Sequence, residues 1–157
     1  MKQPYGMTRA MFRAWIDAFY VAGVGPDCIS QIIGTAPKSK GYHAQDGTVV
    51  EDGKRVAYCC AVDFRTRHLK EHQIRLVLER LAEHGYAGWW RRGRLWRGNT
   101  HAHVIYCGHD MKPQLRSQVN DWLNGRNGLA GHARDNFAVP SQHAKSKIRA
   151  LLAAHDR

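Results

Sequence analysis

Apolar residues recur at helical spacing in Met11, Phe12, Trp15, Ile16 and Phe19, directly behind Thr8. This pattern predicts an amphipathic helix over 8–21, capped by Thr8 and closed by Gly23. Ile29 to Ile33 reads as a short strand or a helical turn, and Thr35 to Gly41 as a loop from its Pro, Gly and Lys content. Two β-type runs follow, Thr48–Val50 and Arg55–Phe64, and the Asp52-Gly53 pair between them is a hairpin signal. On the second run, strict alternation puts Val56, Tyr58, Cys60 and Val62 on one face and Asp63 on the other, with Ala57, Cys59 and Ala61.

Leu69, Ile74, Val77, Leu78 and Leu81 predict a long helix from Leu69 to His84, ended by Gly85. Tyr86–Trp90 and Ala102–Cys107 read as two further strands joined by a basic segment. Pro113 opens a helix over 113–124 that carries Leu115, Val119, Trp122 and Leu123, and Gly125 stops it. Residues 124–140 are polar and Gly-rich and read as an ordered loop, after which Ser141 caps a last helix over 141–154. Helices interleaved with a mainly antiparallel sheet predict an α+β fold in one domain spanning residues 1–157.

Composition narrows the classes. The chain has 157 residues, with 24 Lys+Arg against 13 Asp+Glu and a formal charge of +11. That excess calls for an anionic partner: nucleic acid, an anionic cell-wall polymer or peptide, or an acidic membrane face. No apolar run approaches the roughly 18 residues of a spanning helix, so membrane insertion is not expected. The first 25 residues show no secretory pattern, so synthesis in the cytoplasm is expected. The four cysteines have no C-x-x-C spacing and read as small buried hydrophobes in a reducing compartment.

The densest chemistry lies in Thr100-His101-Ala102-His103-Val104-Ile105-Tyr106. On a strand, His101 and His103 point to one face and Val104 and Tyr106 to the other. Two imidazoles on one face can supply two metal-binding nitrogens, or one ligand and one proton-transfer group. In a chain with 10 His, such a pair also fits a surface strand. Asp63 sits at the end of an otherwise apolar run and needs a partner: a metal, an Arg, or the N-terminus of the following segment. His43 lies in the Gly-flanked stretch Ser39-Lys40-Gly41-Tyr42-His43, where a solvated loop histidine is the other reading.

In combination, Ser-Lys-Gly-Tyr-His43, Ala61-Val62-Asp63, a helix, a Gly-Trp strand and His101-Ala-His103 resemble the zinc peptidases grouped as the D-alanyl-D-alanine peptidase, lysostaphin and hedgehog superfamily. Similarity is greatest to the D-alanyl-D-alanine carboxypeptidase and phage endolysin branch. It covers about residues 29–107 and leaves the helices at 113–124 and 141–154 as additions. The resemblance implies a Zn2+ site with His43, Asp63 and His103 as ligands. Several positions depart from the pattern. His43 and Asp63 stand 20 positions apart. Cys59 replaces a Gly, Ser39 lies four rather than two residues before the His, and Thr100 occupies the place of an acidic base. The last of these shifts the base role to His101, as in the lysostaphin branch.

The implied reaction is metal-assisted hydrolysis of an amide in a peptidoglycan stem peptide, with Ser39, Lys40, Arg91 and Arg92 as substrate-binding residues. Arg forks suit the carboxylates of such a peptide. A phage or prophage lysin released to the cell wall is the setting the resemblance suggests. If His101 were a fourth ligand, the metal would instead be structural. The rival reading from another class is a single-stranded nucleic-acid-binding or nicking protein that uses the His-x-His strand, with Trp and Arg contacting the strand. Such nicking enzymes attack with a tyrosine beyond the motif, and here the last tyrosine is Tyr106, on the far face. A peptidase-like domain that binds without catalysing is the third.

Overall fold

A computed structural model describes residues 1–34 and 41–156. Helix α1 spans Arg9–Val21, and Thr8 caps it by accepting a hydrogen bond from the Met11 N–H. Strand β1 (Ile29–Gln31) is followed by a hairpin of β2 (Gly47–Glu51) and β3 (Lys54–Tyr58), then by β4 (Ala61–Arg65). Helix α2 (Glu71–Glu83) leads into β5 (Tyr86–Arg91), a 3-10 turn at Arg94–Trp96, and β6 (His101–Tyr106). Helices α3 (Pro113–Leu123) and α4 (Gln142–Ala154) complete the chain. The fold is α+β, as expected, and among the described residues no helix is long and apolar enough to cross a membrane.

The main sheet has the order β1-β4-β6-β5 with antiparallel neighbours, and β2-β3 form a separate two-stranded sheet. This corrects the single strand expected over Arg55–Phe64. The run breaks at Cys59 and Cys60, and its two halves belong to different sheets. Nothing in the apolar pattern marks the break, because both halves are largely buried there. It is instead enforced by backbone partners outside the ladder. The Cys59 N–H donates to Gly6 O at 3.0 Å, and the Cys60 N–H donates to the Asp46 carboxylate at 2.7 Å. All four cysteines are free thiols, and Cys59, Cys60 and Cys107 are buried.

Register decides which side chains share a face. Val62 pairs with Val104 and Phe64 with Ala102, while Gly88 and Trp90 on β5 pair with Val104 and Ala102. This apolar face packs against α1 and α2: Trp15 and Phe19 meet the Phe64 ring at 5.4 and 5.2 Å, edge-on. Gly88 lets Leu78 of α2 and Val104 close over β5, since a Cβ there would lie 2.7 Å from Val104 and 2.9 Å from Leu78. The opposite face carries two cross-strand rows. Asp63, His103 and Trp89 form one, and Arg65, His101 and Arg91 the other. Helix α3 and the loop after it cover this second face.

Candidate metal centre

Three elements bring the site together. Strand β4 supplies Asp63, and β6 supplies His103 directly opposite it. Asp63 lies inside β4 rather than at its end, and its side chain is 13% exposed. His43, 20 positions before Asp63 in the chain, arrives from the loop ahead of the hairpin. That loop is held at several points. The His43 carbonyl accepts from the Gly34 N–H at 3.0 Å, and its ring Nδ1 donates to Ile32 O at 2.8 Å. Gln114 of α3 donates to Gly41 O, and the fully buried Asp46 carboxylate takes both the Lys112 N–H and the Lys112 ammonium. The stretch between His43 and Asp63 holds the β2-β3 hairpin, which pairs with itself as a separate two-stranded sheet.

The ligating atoms of His43, Asp63 and His103 all lie within 4.8 Å of one another, so the three can hold a metal ion. His43 Nε2 stands 3.2 Å from Asp63 Oδ2, and His103 Nδ1 stands 2.7 Å from Asp63 Oδ1. A proton count explains why a cation suits them. A neutral imidazole has one N–H. In His43 it is committed at Nδ1 to Ile32 O, which can only accept. In His103 the other nitrogen, Nε2, faces Gln118 Oε1 at 3.2 Å. The Gln118 amide nitrogen is already donating to Gly128 O at 3.0 Å, so its oxygen is the atom turned to His103. A neutral His43 therefore turns a bare Nε2 to Asp63, and the one N–H of His103 has two acceptors to serve, Asp63 Oδ1 at 2.7 Å and Gln118 Oε1 at 3.2 Å. Protons fall short of acceptors here, and a metal ion could supply the missing positive charge. Two nitrogens and one carboxylate oxygen are three donors, fewer than a four-coordinate ion takes, so a coordination position would stay open.

Burial raises the Asp63 carboxyl, but His103 and His43, when they carry protons toward it, outweigh burial and hold it below the usual carboxylate range, the same pull that a bound cation would exert. Burial pushes His103 down, against the pull of Asp63, toward the neutral form that binds metals. Trp89 stacks on the His103 ring with centroids 6.0 Å apart, and its indole N–H donates to Arg126 O.

His101 lies beside the three without joining them. Its Nδ1 donates to Asn99 O at 2.7 Å, which leaves Nε2 as an acceptor 3.9 Å from Asp63 Oδ2. Trp96 contacts its ring edge-on at 5.1 Å. His101 thus stands outside the group of three whose ligand atoms all lie within 4.8 Å of one another.

A cavity of about 680 Å³ opens over the cluster, walled by Tyr42, Arg91, Trp96, Gln118, Leu129 and Ala130 among others. The substrate-binding expectations divide here. Arg91 is 5% exposed, directly opposite His101 in the sheet, with its guanidinium over the Trp89 and Trp96 rings and one hydrogen bond to Asn127 O. Burial lowers its pKa to about 10, and Asp135 and Asp63 oppose that shift. Arg92 goes the other way: it covers Trp90 and Phe137 and lies 3.5 Å from Glu71, away from the cavity. Adjacent residues leaving a strand diverge, so only one of the two arginines reaches the site. Ser39 and Lys40, with Lys38, lie outside the described residues.

Gln118 and the 128–130 wall did not emerge from the sequence reading. The signal for Gln118 was present. Leu115, Val119 and Trp122 define the buried stripe of α3, and Gln118 sits within that stripe. A polar side chain on a buried helical face needs partners, and His103 is one. No protein-family model, curated protein or solved structure matches the chain, so its chemistry is read from this geometry.

Proposed function

We propose that the chain is a zinc-dependent peptidase that hydrolyses an amide bond of a peptidoglycan stem peptide or a similar D-amino-acid amide. The observation that carries this reading is Asp63 within 3.2 Å of His43 Nε2 and 2.7 Å of His103 Nδ1 at the floor of an open cavity, with His101 Nε2 alongside at 3.9 Å. Zinc held by His43 Nε2, Asp63 and His103 Nδ1 supplies Lewis acidity and brings the pKa of a water from about 15.7 toward neutrality.

The chain's own groups do the rest. His101 Nε2 takes a proton from the attacking water as its oxygen bonds to the amide carbon. It then gives that proton to the departing nitrogen as the C–N bond breaks, so that water and amide become carboxylic acid and amine, which at neutral pH settle as carboxylate and ammonium. The bond from His101 Nδ1 to Asn99 O keeps the ring in the one tautomer that can do this. Arg91 offers a buried, planar cation to a substrate carboxylate, and Trp96, Leu129 and Ala130 give an apolar wall suited to alanine-sized side chains.

The test is release of amino groups from purified cell wall by wild type and His101→Ala, with zinc measured in both. The reading expects zinc in both proteins and hydrolysis only in wild type. Full hydrolysis by His101→Ala would remove the proton-transfer role. No hydrolysis by zinc-loaded wild type, on cell wall or on D-alanyl peptides, would overturn the peptidase reading.

A further inference from the structure

Gln118 stands on α3, outside the segments that carry the metal ligands, yet it is buried and touches one of them. Its amide has one donor end and one acceptor end, and each has a fixed partner: the nitrogen donates to Gly128 O at 3.0 Å, and the oxygen faces His103 Nε2 at 3.2 Å. Reversing the amide would set oxygen against the Gly128 carbonyl, two acceptors with no proton between them. Gly128 itself is pinned. It has φ +67, and a Cβ on it would lie 2.9 Å from the Trp89 ring, so a side chain there is excluded. Three successive loop carbonyls are each taken by a side chain of the metal face: Arg126 O by Trp89, Asn127 O by Arg91 and Gly128 O by Gln118.

We infer that Gln118 is a positioning residue for the metal ligand His103: it draws the single imidazole proton to Nε2 and so assigns Nδ1 to the metal, with the 126–128 loop as its anchor. This rests on the metal-site reading of the three ligands. A ligating imidazole whose other nitrogen is fixed by a hydrogen bond loses its choice of tautomer and ring orientation, and the effect of such a partner on metal affinity is about 10–100-fold. The inference also gives α3 and the loop after it a task. They set the ligand field from above the sheet.

The experiment measures Zn2+ affinity by competition with a chromophoric chelator for wild type, Gln118→Leu and Gln118→Glu. It adds the 15N shifts of the His103 ring in zinc-loaded wild type. Gln118→Leu removes both hydrogen bonds and is expected to weaken zinc binding by about 10–100-fold. Gln118→Glu keeps an acceptor on His103 although it loses the donor to Gly128 O, and is expected to bind zinc more tightly than Gln118→Leu, a partial rescue that a merely space-filling role would not produce. The wild-type spectrum is expected to show the proton on His103 Nε2, a readout that does not depend on either variant folding. A proton on Nδ1, or equal zinc affinity in Gln118→Leu and wild type, overturns the inference while leaving the metal site intact. A wild type that takes up no zinc overturns the metal reading and this inference together.

Discussion

The two faces of β4 and β6 are chemically opposite. On one, Val62, Phe64 and Val104 are fully buried against the rings of α1 and the aliphatic side of α2. On the other, His101, His103 and Asp63 lie beneath α3 and its loop around a cavity of about 680 Å³. The first face is filled with hydrocarbon, which is favourable in proportion to the area removed from water. On the second, each buried polar atom must find a partner, and the partners are in short supply by two protons. The comparison separates two tasks. The apolar face fixes register, and register is what sets Asp63 against His103 and Arg91 against His101. The polar face holds three residues placed to take a metal ion.

Substitutions on the two faces should therefore fail differently. Asp63→Ala removes the carboxylate shared by both imidazoles, and the expected result is loss of zinc and a fall in hydrolysis of about a thousandfold or more, equivalent to several kcal/mol. Zinc analysis with cell-wall hydrolysis checks it. Phe64→Ala, next to Asp63 but on the other face, should instead lower unfolding free energy by about 3–5 kcal/mol, read by denaturant titration. The protein that remains folded should still bind zinc. Equal zinc loss in both variants would erase the distinction between the faces.

A smaller effect sharpens the polar side. Arg91→Gln keeps a donor but loses the charge, and a charge-assisted hydrogen bond contributes about 1.5–3 kcal/mol, or about 10–100-fold. The expected change is a rise in KM for peptides with a free carboxylate, with kcat little altered and amide-capped peptides unaffected. An identical loss on capped and free peptides would assign Arg91 to the wall alone. The smallest effect belongs to Tyr106, whose ring meets Tyr86 at a tilt and His109 edge-on, on the far side of β6. Tyr106→Phe is expected to change hydrolysis less than about twofold, and stability by about 0.5 kcal/mol or less. Covalent capture of single-stranded DNA by wild type but not by Tyr106→Phe would instead favour the nicking-enzyme alternative.

How much of this was legible in the sequence depends on whether the information was local. The cap at Thr8, the helix ended at Gly85 and the shared face of His101 and His103 follow from spacing of 3.6 or 2, and the structure has them. The break at Cys59-Cys60 was not legible, because it is made by Gly6 and Asp46, remote in sequence, while the local alternation runs on unbroken. The difference between Arg91 and Arg92 was hidden for a similar reason. Strand β5 continues to Arg91, one residue beyond the expected end at Trp90, and that single residue decides which guanidinium faces His101. Gln118 was visible as a polar residue on an apolar stripe, but the identity of its partner needed the third dimension.

Zinc stoichiometry after exhaustive dialysis, compared between wild type and His103→Ala, bears most directly on the central claim that Asp63 and its two imidazoles form a metal centre. The geometry predicts about one zinc per wild-type chain and none in His103→Ala, with both proteins folded. A folded wild type without zinc, or a His103→Ala protein that retains as much as wild type, would contradict it.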